Sequence, residues 1–323
     1  MTVKTKRLIA ALKKKREAEG LSIRGLSSVI GVSFSTLARI ERGVGEPDNN
    51  SLIRILEWLG VEGRESGLSF ENVALVHFRA SKNVKSNTIR CLLQAADILK
   101  RNYSERNYEP NHSEYEGQSP RHSSDAIALF KVDMERMAQE FRIELGLNET
   151  ESLNALGIEI EGVDVFVPGQ ISGLSEKCLS HLNDSGRSEW SAMSVPLDTD
   201  CERWVILRNE SHNVERQRVT YLEECWHILL GHKLTKIAKV AESYGRTYDS
   251  VEEHDAYYLA SACLLPKKAV TSAVNDQKSA EEIANHFRVS KDLVEYRIKR
   301  LGLWRVYKGT PIKLADSAGP TKF

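Results

Sequence analysis

The segment "LSIRGLSSVIGVSFSTLARIERG", residues 21–43, constrains the fold more than any other stretch of the chain. Ser22 is a good N-cap for a short helix carrying Leu26, Val29 and Ile30. Gly31 permits a tight turn, since glycine takes the left-handed conformation without a Cβ clash, and Val32 packs inside. Ser33 caps a second helix with Leu37 and Ile40 on its inner face, and Gly43 stops it. Upstream, Leu8, Ile9 and Leu12 mark an amphipathic helix ended by Gly20, and downstream "SLIRILEWLGV" marks another. Two short helices about a glycine turn, inside a small helical bundle, describe a helix-turn-helix. The start of its second helix would expose Ser33, Phe34, Ser35, Thr36 and Arg39. Small hydroxyls and a guanidinium suit base edges and phosphates in a major groove. A helical protein–protein module with a solvated basic face is the alternative.

Charge favours the first reading through its distribution. The chain as a whole is neutral, with 45 Lys and Arg against 45 Asp and Glu. Residues 1–60 hold eleven Lys and Arg against six Asp and Glu, so a basic module is joined to a mildly acidic body. Over roughly residues 5–62 the pattern resembles the XRE (Cro/repressor-like) DNA-binding family. That resemblance implies a double-stranded DNA operator as partner and a homodimer on two half-sites. Gly25-Leu26-Ser27-Ser28 departs from the Leu-Ala pair more usual there, which predicts an altered packing contact.

The five cysteines are odd in number, scattered, and never in Cys-x-x-Cys spacing. They argue against a disulfide scaffold or a cysteine-based zinc site and for a reducing compartment. No apolar run reaches membrane-spanning length, and "MTVKTKRLIAALKKKREAEG" is too interrupted by Lys for a signal peptide. The expectation is a cytoplasmic protein with no membrane partner.

In the middle of the chain, "HFRASKNVKSNTIRCLLQAADILKRNY" reads as a loop and then a helix from about residue 87 to 103. Residues 104–123, including His112 and His122, have the composition of a flexible linker. "SSDAIALFKVDMERMAQEFRIELGL" reads as a long amphipathic helix capped by Ser124 or Asp125. The period then changes to two in "GIEIEGVDVFVP", "SAMSVPL" and "RWVILRN", which predicts short strands of a small, mainly antiparallel sheet. A helical run around 215–236 follows. This order of elements is similar to that of zincin-type metallopeptidases, an analogy at the level of fold.

That last run contains "TYLEECWHILLGH", residues 220–232, one residue away from His-Glu-x-x-His. The zinc motif needs two ligands four residues apart, because about 400° of helical rotation puts both on one face. A Glu between them polarises a metal-bound water. Glu223 and His227 have the ligand spacing, and Glu224 holds the base position. In "EEHDAYYLASACLLP", Glu253, Ala256 and Ala260 share one face of a second helix. The two segments together resemble the ImmA/IrrE family of metallopeptidases over roughly residues 125–310. The resemblance implies His227 as second histidine ligand, Glu224 as general base and Glu253 as carboxylate ligand. Glu223 departs from the family's first histidine.

Zinc accepts carboxylate ligands, so Glu223 does not forbid a metal. Harder oxygen donors move preference towards manganese or magnesium, and with no metal the carboxylates repel, so at least one pKa rises. Zinc, manganese and no metal therefore all stay open. So does an ordinary buried helix with His227 bonded to a carboxylate. Cys225 reads as packing, and His232, His212 and His254 as structural. "SAEEIANHFRVSKDLVEYRIKRLGLW" opens with a capping box, Ser279 to Glu282. It resembles a second helix-turn-helix, with Lys291, Arg297, Lys299 and Arg300 on its later helix, and is expected to pack against the body rather than read DNA.

The expected fold is α+β: an all-α helix-turn-helix bundle, then a mainly helical zincin-like domain with a small, mainly antiparallel sheet. The expected segments are 1–65, a helical connector and linker over 66–123, the peptidase-type domain over 124–275, and a helical tail over 276–323. The expected function is a repressor-like, sequence-specific DNA-binding regulator whose body senses a signal or partner. The alternatives are a metal-dependent endopeptidase cleaving a repressor or itself, and an antitoxin-like or phage-type repressor under a protein partner's control.

Overall fold

A computed structural model describes residues 3–65, 67–80, 84–106, 129–240, 243–247 and 250–310. The chain forms two compact units, residues 1–128 with 156–257, and residues 129–155 with 258–323. The architecture is α+β, as the sequence periods imply.

The first unit opens with α1 (Val3–Ala18), α2 (Ile23–Ile30), α3 (Phe34–Glu41), α4 (Asn49–Leu59) and the short α5 (Val61–Glu65). Leu8, Leu12, Leu26, Leu37, Ile40 and Ile53 are buried in one cluster, the face that the 3.6-residue period marks. Val29 is 60% exposed, because Leu26 and Ile30 already fill the inner face of the two-turn α2.

Strand β1 (Glu71–Ala80) and helix α6 (Ser86–Arg106) come next. α6 lies where the sequence reads as a helix from about residue 87 to 103, whereas β1 is a strand in a stretch expected to be a helical connector with a loop. After α7 (Lys131–Glu144), which belongs to the second unit, the first unit resumes. It adds β2 (Val163–Phe166), α8 (Glu176–Asn183), β3 (Trp190–Pro196), β4 (Trp204–Arg208) and α9 (Val214–Leu229). It then adds β5 (Thr235–Val240), β6 (Ser243–Arg246) and the first half of α10 (Ser250–Leu264). The helical run thus stops at Leu229, and Gly231 at φ 61° turns the chain into a strand.

The six strands form one sheet in the order β2-β4-β3-β1-β5-β6, antiparallel except for the parallel pair β2–β4. β1 is central, between β3 and β5. Its residues alternate: Ala74, Val76 and Phe78 join a core with Ile89, Leu92, Ala96 and Leu99 of α6, while His77 and Arg79 point the other way, towards α9. Helices therefore cover both faces of the central strand, which is why every residue of β3 beside it is buried.

Cys91 on α6 and Cys178 on α8 form a disulfide with Cα atoms 5.1 Å apart. This corrects the reading of the cysteines as unbridged and removes their argument for a reducing compartment. A separation of 87 residues left no local signal for the pair.

The helical bundle docks on the β5–β6 edge. Val240 belongs to the bundle's own core cluster. Lys236 Nζ pairs with both oxygens of Glu57 at 2.7 Å, and Asn49 on α4 bonds to Ser86. Gly245 permits the contact: a Cβ there would lie 2.8 Å from Ile53 Cδ1 and 2.9 Å from the Asn49 carbonyl oxygen.

The second unit contains α7, the second half of α10, α11 (Lys267–Asn275), α12 (Ala280–Phe287), α13 (Lys291–Arg300) and α14 (Trp304–Tyr307). α7 begins at Lys131, not near Ser124 or Asp125, which lie outside the described residues, as do His112 and His122. Both halves of the capping box form at Ser279 and Glu282. Arg297 of α13 is fully buried and gives two 2.6 Å bonds to Glu135 of α7. It is a packing residue of this unit. Among the described residues, no helix is long and apolar enough to cross a membrane.

Candidate metal centre and DNA-binding helix

Helix α9 is capped by Asn213, whose side chain accepts from the Arg216 amide. From Thr220 to His227 every residue is buried. A helix buried all round, yet carrying two carboxylates and an imidazole, must satisfy them with partners from elsewhere, because an unpaired buried charge is costly. The sheet supplies those partners.

Glu223 Oε1 accepts from Arg79 Nη1 of β1 at 2.5 Å, and the same nitrogen lies 3.5 Å from Glu253 Oε2 of α10. The Arg79 guanidinium also sits 5.2 Å from the centre of the Tyr257 ring, a cation–π contact. Glu224 Oε2 accepts from Ser194 Oγ of β3 at 2.5 Å. Glu223 Oε2 and Glu224 Oε1 have no hydrogen-bond partner among the described residues. His227 and His232 approach Nδ1 to Nδ1 at 2.9 Å, one ring donating and the other accepting. The His77 ring is stacked between His227, at 4.9 Å, and Trp204, at 5.4 Å.

The structure brings Glu223, His227 and Glu253 together, with a donor atom from each within 4.8 Å of the others. Glu224 lies beside them, against Ser194. Cys225 is buried, and His212 is bonded to the Trp190 carbonyl, as structural roles require. His254 contacts Asp255. Sequence reading missed Arg79, His77 and Ser194. The alternation of "ENVALVHFRA" was the available sign of a strand, and would have put His77 and Arg79 on one face.

The electrostatics follow from burial. Desolvation pushes the Glu223 carboxyl up; Arg79 opposes this, while Glu253 and Glu224 add to it. Burial also pushes Glu224 up to about 7, against the Ser194 hydrogen bond, with Glu253 raising it further. His227 is held well below the usual imidazole range by burial, then by His77, His232 and Arg79, so it is neutral.

Two carboxylates and a neutral imidazole are the right donor types for a divalent cation. Their arrangement suits a different cation. Ligand atoms around tetrahedral zinc lie about 3.4 Å apart at bond lengths near 2 Å, and these donors lie within 4.8 Å of one another. Arg79 already binds two of the three. Like unit charges about 4 Å apart repel by about 4 kcal/mol in a protein, and a divalent ion doubles that. A metal and Arg79 do not fit here together.

In the helix-turn-helix, Ser22 accepts from the Gly25 amide and Ser33 from the Thr36 amide. Gly31 ends α2 in the left-handed conformation at φ 66°, and Arg54 Nη1 holds its carbonyl at 2.7 Å. Arg16 grips both oxygens of Glu41, tying α1 to α3. Phe34 and Ser35 are exposed at the start of α3 and Arg39 in its last turn, and the Arg24 guanidinium lies over the Phe34 ring at 5.4 Å. Thr36 is half-buried, and the Ser33 hydroxyl is engaged in capping.

Comparison with protein-family models agrees with both regions. Residues 12–65 match the helix-turn-helix model, and residues 188–299 match the IrrE N-terminal-like domain. The chain joins a helix-turn-helix domain to an IrrE-like domain. No curated protein and no solved structure matches it. The IrrE-like match takes in Ser194, Glu223, Glu224, His227 and Glu253, whereas His77 and Arg79 of β1 lie outside it. His77 and Arg79 therefore reach the cluster from outside the matched segment.

Proposed function

We propose that this protein is a DNA-binding transcription regulator, repressor-like, that holds an operator as a dimer through α3 and is controlled through its IrrE-like body. The exposed start of α3, rigidly capped within a basic module, carries the reading. Phe34, Ser35, Thr36 and Arg39 would reach base edges, and Ser33 would set the helix start. Control would pass through the β5–β6 edge. There the Arg246 amide donates to Asn50 of α4, while its guanidinium donates to the carbonyls of Phe78 and Ala80, on either side of Arg79. A change at the cluster thereby has a short path to the DNA-binding helices.

Gel retardation with the DNA upstream of the protein's own gene tests this. Specific retardation is expected, weakening with salt, and Arg39→Ala should weaken it about tenfold or more. No specific retardation, with Arg39→Ala behaving like wild type, removes the reading. A second reading, a metal-dependent endopeptidase with Glu224 as base and zinc on Glu223, His227 and Glu253, is favoured by the convergence of those three donors. It requires Arg79 to leave them.

A further inference from the structure

We propose that Arg79 is the resident cation of this centre: its guanidinium takes the place of a metal ion and holds the carboxylate that Glu223 puts where a first histidine ligand would be. Two changes meet at one point. Glu223 puts a carboxyl in the donor set where an imidazole would stand, and Arg79 adds a positive charge within 2.5 Å of it. The same Nη1 lies 3.5 Å from Glu253, so one guanidinium group bridges the carboxylates of α9 and α10 much as a shared ion would.

Arg79 is held for this task from both sides. Its strand is flanked by β3 and β5, and Arg246 fixes the carbonyls of Phe78 and Ala80 next to it at 2.8 and 3.3 Å. The Tyr257 ring supports the guanidinium itself. His227, the remaining donor, is engaged by His232 at 2.9 Å and stacked against His77, so it too has a place without an ion. The centre then works as a charged joint among β1, α9 and α10. A divalent ion enters only by displacing Arg79, whose side chain is 36% exposed and reaches in from the edge. This inference is independent of the DNA-binding reading: operator binding and metal binding are measured separately, and either can fail alone.

The test uses the full-length protein, stripped with chelator and titrated with Zn²⁺ alone, followed by calorimetry and thermal melting. Wild type is expected to take up no stoichiometric zinc at the cluster, and its melting temperature should not move. Arg79→Met combined with Glu223→His should bind one zinc per chain at least about 100-fold more tightly and melt higher with it. Arg79→Met alone should melt lower than wild type, with zinc restoring the loss. If that single variant does not fold, the wild type and the double variant still decide. One tight zinc in wild type, lost in Glu223→Gln, overturns the proposal. So does a folded double variant that gains no zinc.

Discussion

The helix-turn-helix and the carboxylate cluster both place polar side chains close to apolar cores, and they satisfy them over very different distances along the chain. In the helix-turn-helix the partner is next door: Ser22 serves Gly25, Ser33 serves Thr36, and Asp48 serves Ser51. In the cluster, Glu223 depends on Arg79 across 144 residues and Glu224 on Ser194 across 30. Local satisfaction leaves α3 free to face a partner. Long-range satisfaction makes the cluster a place where strands and helices are tied together, so a change there is felt by the whole first unit.

The contrast can be broken at several points. Leu37, fully buried in the helical bundle, should cost about 2–5 kcal/mol as Leu37→Ala. Urea unfolding and gel retardation would register lost stability and lost operator binding. The pH response of the cluster should survive, and its disappearance would show that the two regions are one.

The cluster has its own signature. Glu224, at about 7 in the folded protein, starts from an ordinary value of 4.5. A raised carboxyl stabilises the fold fully below its unfolded value, and that contribution is lost as pH rises from there through about 7. Glu224→Gln cannot titrate, so its stability relative to wild type should rise by about 3 kcal/mol across this window. Glu223 shifts in the same direction as Glu224 and His227 opposes them, but both remain in the variant. Denaturation curves at pH 5, 6, 7 and 8 check the difference; parallel pH profiles would refute it.

Gly245 probes the link between the regions. Its substitution by Ala forces a Cβ against Ile53 and the Asn49 carbonyl, which should cost about 1–3 kcal/mol and loosen the bundle from the β5–β6 edge. Hydrogen exchange should then rise in α4 and β6 together; a rise confined to β6 would mean that the contact carries no coupling. The smallest effect is expected at Ser33→Ala, which removes one cap and about 1 kcal/mol. Its loss should appear in melting of the DNA-binding module and leave the Glu224 window untouched.

Much of this molecule is legible without coordinates, and the legible parts share a cause. Helices α2, α3, α4 and α12 are marked by an N-cap Ser or Asp and a 3.6-residue apolar period, both readable within one turn. Glu223 and His227 share a helix face because four residues complete a turn, and Glu253 is a third ligand by the family resemblance of its helix. β1, β5 and β6 were less visible. In "TKIAKV" the alternation is short and mixed with Lys, and β1 follows a loop-like stretch whose period of two is set by only a few residues.

The sequence by itself determined the helix-turn-helix with its caps and glycine turn, the spacing of Glu223 and His227, and the departure at the first histidine position. Periodicity and capping act through neighbours on the chain, so they are written locally. Tertiary structure alone decided that Arg79 comes to Glu223 and Glu253, that Ser194 holds Glu224, that His77 stacks on His227, and that Cys91 meets Cys178. Electrostatic pairing and burial depend on distance in space. Only the folded sheet, by putting β1 between β3 and β5, brings a guanidinium to the carboxylates of a helix far along the chain.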